Sequence, residues 1–68
     1  MTQKDMAIEV ADEVFRANIK VIFTVLDNAL TLAHEAAAKQ AAVDKAKLGL
    51  ASAQATRSVC RDLANTLP

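Results

Sequence analysis

Apolar side chains recur along the first half of the chain in steps of three and four: Ile8, Ala11, Phe15, Ile19, Ile22, Leu26, Ala29 and Ala33. That spacing marks one face of an α-helix. A second row, Val10, Val14, Val21, Val25 and Leu32, lies beside the first and widens the apolar face to roughly half the circumference. Two adjoining rows call for at least two neighbouring helices, more than one small partner helix supplies. The densest part is residues 18–26, where six of nine side chains are apolar. Its β-branched members Ile19, Val21, Ile22 and Val25 have strand propensity, but the flanks keep the helical spacing and no turn residue bounds the run, so the segment is read as helix.

The opposite side is polar from Asp5 through Glu9, Glu13, Arg16, Lys20, Thr24, Asp27 and Thr31 to His34. Arg16 is placed to pair with Asp12 or Glu13, each pair worth about 0.2–0.5 kcal/mol. Phe23 projects on this polar side, which predicts contact with another subunit or a ring folded over the groove edge.

From Ala33 the pattern changes. Ala36, Ala37, Ala38, Ala41, Ala42 and Ala46 have high helix propensity and little bulk, which favours close packing on a neighbouring helix over a solvent-bridging rod supported by Glu35 and Lys39. Beyond them a new apolar row runs through Val43, Ala46, Leu50, Ala53, Cys60, Ala64 and Leu67, flanked by Val59 and Leu63. It does not continue the earlier face. The polar row, Asp44, Lys47, Gln54, Arg57, Ser58, Arg61, Asp62 and Asn65, has rotated by about half a turn, so the chain bends back, or its partner changes, between about residues 36 and 50.

The strongest stop signal is Lys45-Ala46-Lys47-Leu48-Gly49-Leu50: basic residues in a last turn, then a glycine able to close the helix. It predicts a long first helix, a tight reversal near Gly49 and a second helix ending at Pro68. Two other layouts stay open. Asp27-Asn28 could cap a second helix, or Gly49 could remain helical at a cost of about 1 kcal/mol and leave nearly one continuous rod.

Length changes what these helices must do. With 68 residues the chain forms one helical domain, 1–68, and a core of that size rarely supplies more than about 3–5 kcal/mol without a staple. The single Cys60 closes no intrachain disulfide, and with the single His34 it makes no recognisable metal spacing. Oligomerisation remains. Charge agrees with it: eight basic and eight acidic groups give a formal net charge of zero, which lacks the footprint of a nucleic-acid binder and lets like copies approach without repulsion. The start of the chain shows no signal-peptide pattern, residues 19–26 are too short to span a bilayer, and the acidic first half without tryptophan disfavours a membrane-surface helix. Cytoplasmic synthesis is the expectation.

Sites of chemistry are scarce. There is no glycine-rich phosphate loop and no cysteine or serine at a suggestive distance from His34, so neither a catalytic site nor a cofactor site is expected. Cys60 stands on the apolar row as a packing residue. His34, with Asp27 and Glu35 nearby in sequence, is either a solvated histidine or part of a contact that responds to acid.

The run Val10-Ala11-Asp12-Glu13-Val14-Phe15-Arg16-Ala17-Asn18-Ile19-Lys20-Val21-Ile22 resembles the N-terminal signature of the R-body proteins, the RebB-like killing-trait family, with Asp12, Asn18, Lys20 and the valines carrying the likeness. Ala33-His34-Glu35-Ala36, with the alanines through Gln40, is similar to a second family stretch. The chain departs from the family in lacking the glycine- and proline-containing segment between the two stretches, and in carrying Lys45, Lys47, Arg57, Arg61 and Asp62 where the family is rich in glutamine and threonine. The resemblance implies a structural subunit of a protein ribbon that rolls into a cytoplasmic inclusion in bacteria, extends on acidification in some members, and is associated with killing.

The expectation is therefore an all-α chain: a long amphipathic helix and a second helix in a hairpin that packs in an oligomer or polymer. Phe15, Ile19, Val21, Ile22, Phe23 and Leu26 are its expected contacts within and between subunits. Partners would be copies of itself and similar small paralogues. The competing reading is a discrete helical bundle that sequesters a partner helix, as export chaperones or antitoxins do.

Overall fold

Thr2 and Asp5 start the first helix by a reciprocal exchange. The Asp5 amide donates to Thr2 Oγ1 at 3.2 Å and the Thr2 amide donates to Asp5 Oδ2 at 3.3 Å. This capping box satisfies two backbone amides at the helix start. A computed structural model, which describes residues 1–68, shows two helices of 30 residues each, α1 (Gln3–Leu32) and α2 (Ala36–Asn65), packed against each other as a helical hairpin. No helix is long and apolar enough to cross a membrane.

The reversal lies at Ala33, His34 and Glu35, not at Gly49 or Asp27. Both flanking residues are extended, Ala33 at φ −82°, ψ 128° and Glu35 at φ −105°, ψ 148°. Any L-residue adopts these angles, so the turn needs no glycine. Asp27 and Asn28 stay inside α1, and the Asp27 carbonyl accepts from the Thr31 hydroxyl at 2.8 Å. Gly49 stays inside α2 without a positive φ. It lies against Ile22: a methyl group added there would sit 3.4 Å from Ile22 Cγ1, an ordinary contact, so the two helices meet here at a spacing that alanine would also fit.

The first apolar row of α1 is the row that packs. Ile8, Ala11, Phe15, Ile19, Ile22 and Leu26 are all partly buried, and they meet the row of α2 that contains Ala46, Ala53, Cys60 and Ala64. Large side chains on α1 thus lie against small ones on α2. The level of Gly49 with Ile22 and of Arg57 with Phe15 fixes the register. That register carries Ala36, Ala37 and Ala38 past the last turn of α1. They are exposed, as are Lys39, Gln40 and Ala41, so the close packing expected of this alanine segment does not occur; Ala42 and Ala46 are the first to face α1.

The hairpin is a plate one helix thick. Its Cα extents are 52 × 16 × 7 Å and its radius of gyration is 15.7 Å, against about 11 Å for a compact chain of this length. Its accessible surface is 5167 Å², where about 4,100 Å² is usual for a folded monomer of its mass. Only Ala53 and Ala64 are buried. Stable domains commonly need two packed layers around a core, and this chain supplies one.

Candidate assembly surface

The two broad faces of the plate, each a groove between the helices with its flanking side chains, differ in chemistry. On one face α2 sends Arg57 across to α1. Its Nη2 and Nε donate to Asp12 Oδ1 at 3.1 and 3.3 Å, and its guanidinium lies 4.7 Å from the centre of the Phe15 ring. This is the sole salt bridge of the chain. Asp12 therefore pairs across the hairpin with Arg57 and not along α1 with Arg16. Both partners are more than a third exposed, so the pair contributes on the order of 1 kcal/mol or less, with a comparable amount from the cation–π contact.

The other face is apolar at both ends and polar in the middle. Near the termini a groove runs between Val10 and Val14 of α1 and Cys60 and Leu63 of α2. Toward the turn a second groove lies between Val21 and Val25 of α1 and Ala42, Lys45 and Ala46 of α2. Asn18, Ser52 and Thr56 line the stretch between them. The valines stand open because the α1 spacing points them about a quarter turn away from α2.

The residues expected to make contacts separate into two groups. Phe15, Ile19, Ile22 and Leu26 are half-buried and hold the hairpin together, whereas Val21 is 61% and Phe23 53% exposed. Of the residues carrying the R-body likeness, Asp12 is committed to Arg57, and Asn18 and Lys20 are exposed. The Lys20 carbonyl accepts from the Thr24 hydroxyl at 2.8 Å. His34 and Glu35 lie in the turn and Asp27 in the last turns of α1. All three side chains are exposed, with no hydrogen bond or salt bridge linking them. No three His, Cys, Asp or Glu residues come together as a metal-binding group.

The sequence pattern puts Arg57 on the polar row and does not show its reach across the hairpin. The available signal is its place between Ala53 and Cys60, in step with the packed row of α2. The Thr2–Asp5 capping box also goes unmarked by the apolar spacing, although a threonine followed three residues later by an acid is its usual sign. Compared with known proteins, the chain matches no family model, no curated protein and no solved structure. The R-body resemblance rests on residues 10–22 and the shorter stretch after Ala33.

Proposed function

We propose that this chain is a structural, non-enzymatic subunit that assembles with copies of itself, and that the assembly is a cytoplasmic ribbon or inclusion of the R-body kind. The observation that carries self-assembly is the lack of an interior: two alanines are buried out of 68 residues, and a second layer is needed to cover the valine face. The ribbon form is supported by the likeness over residues 10–22, a segment that supplies both the packed row and the open valine row of α1. Similar small paralogues would fit the same surface.

Negative-stain imaging and light scattering of the purified protein test this at neutral and acidic pH. Extended or rolled ribbons are expected. A small monodisperse oligomer at both pH values would overturn the ribbon and favour a helical-bundle module that captures a partner helix, and a monomer at high concentration would overturn assembly altogether. His34, exposed at the tip, is the residue proposed to respond to acid. Replacing it with glutamine should move the pH midpoint of any change in ribbon shape; an unmoved midpoint removes His34 from the mechanism.

A further inference from the structure

The valine face is arranged symmetrically about its own middle. On α1, Val10 and Val25, and Val14 and Val21, stand at equal distances from a point between Ala17 and Asn18. On α2, Leu48 and Val59 stand at equal distances from a point between Ala53 and Gln54. The hairpin register, set by Gly49 against Ile22 and Arg57 against Phe15, puts these two centres at the same height. All six side chains are among the exposed large hydrophobic residues. Leu48 and Val59 share a helical stripe with Ser52 and Leu63, which line the same face.

We infer that two copies of this hairpin pack face to face and antiparallel through this valine-lined face, about a two-fold axis at the level of Ala17 and Asn18, into a four-helix unit. An isologous contact needs a self-complementary surface. Here the axis sets Val10 against Val25 of the second copy, Val14 against Val21, and Leu48 against Val59, each pairing occurring twice. Asn18, the one polar residue of the α1 valine stripe, lies within one residue of its own counterpart at the centre, and a shift along the seam would bury it against valine, which opposes other registers. The area also fits: the hairpin exposes about 1,000 Å² more than a compact chain of its mass, and a stable interface covers about 800 Å² on each side.

The inference rests on the self-assembly reading and names its first step. The packing uses one face and leaves the Asp12–Arg57 face, with Phe23 beside it, open for further growth.

Sedimentation of the full chain, with V14K and V21E made separately and then mixed, tests it. Each variant alone places a charge against valine, and its dissociation constant is expected to rise by about a hundredfold or more. Mixed, the introduced lysine of one copy meets the introduced glutamate of the other, and association is expected to return to within about tenfold of the parent. That recovery is a gain of signal, so it is readable even where a separate variant is unfolded. Cross-linking gives an independent check: N18C in a C60S background should form a disulfide-linked dimer on mild oxidation, whereas T24C in the same background should not. Undiminished association of V14K and V21E alone would place self-assembly on another face. Loss in both without recovery on mixing would overturn the antiparallel register. A parent chain that stays monomeric would remove the inference and the assembly reading together.

Discussion

Within α1, two apolar rows about a quarter turn apart have opposite fates. The row of Phe15, Ile19, Ile22 and Leu26 is half-buried against α2, while the row of Val10, Val14, Val21 and Val25 is open along its length. The difference is one of volume. Phenylalanine, isoleucine and leucine are long enough to fill the space above the small surface of Ala46, Gly49 and Ala53, and they draw the two helices together. Short valines to one side reach nothing in their own hairpin. Apolar character alone thus does not tell which row holds a fold together, whereas the pairing of large with small does.

Four substitutions break or sharpen this contrast. The largest effect is expected from Ile22→Ala, which removes the side chain lying on Gly49 and should cost about 2–4 kcal/mol. For a hairpin this thin that is most of the stability, and the helical circular-dichroism signal at low concentration should collapse. Ala64→Leu inserts bulk at the most buried position, 2% exposed, and should cost about 1–3 kcal/mol through overpacking, read as a fall in the denaturation midpoint. Val21→Ser leaves the packed row intact. Its melting temperature should match the parent's in dilute solution and lag behind as concentration rises, because only assembled protein loses the contact. The smallest effect is a gain. Gly49→Ala removes a helix-interior glycine, and the new methyl would rest at ordinary contact distance from Ile22, so about 0.5–1 kcal/mol of added stability is expected. A loss there would show that the helices are closer in solution than the 3.4 Å contact allows.

That the chain is helical on both sides of a reversal was readable from spacing, because the step of three and four persists from Ile8 to Ala33 and an offset row resumes in the second half; which of the two α1 rows packs was not, and Val21 and Phe23, expected among the contacts, stand open. The position of the turn was not readable. Gly49 carried the strongest local stop signal, yet a single glycine is tolerated inside a helix at a cost of about 1 kcal/mol, and Gly49 stays helical. Of the residues that reverse the chain, Ala33 and Glu35 sit in extended conformations open to any side chain and His34 has no positive φ, so nothing in their identity announces them. The phase change of the apolar pattern signalled that the chain bends back, since a hairpin must present its second helix from the other direction, but it placed the bend between about residues 36 and 50, and the turn lies just before them. Arg57 was hidden for a similar reason. Its long apolar stem lets a charged residue occupy a packed row while its head reaches Asp12.

The open end of the hairpin carries one further tie: the Lys4 amide donates to the Pro68 carbonyl at 3.1 Å. Head and tail of the chain therefore meet at one pole of a rod about 50 Å long, with the turn at the other. A short peptide joining residue 68 to residue 1 would make a closed ring without disturbing either helix, and it would lower the entropy of the unfolded chain. A label attached at either terminus would report from the same pole. In an antiparallel pair, two such labels would stand at opposite ends of the particle, which makes the direction of packing measurable as a single distance.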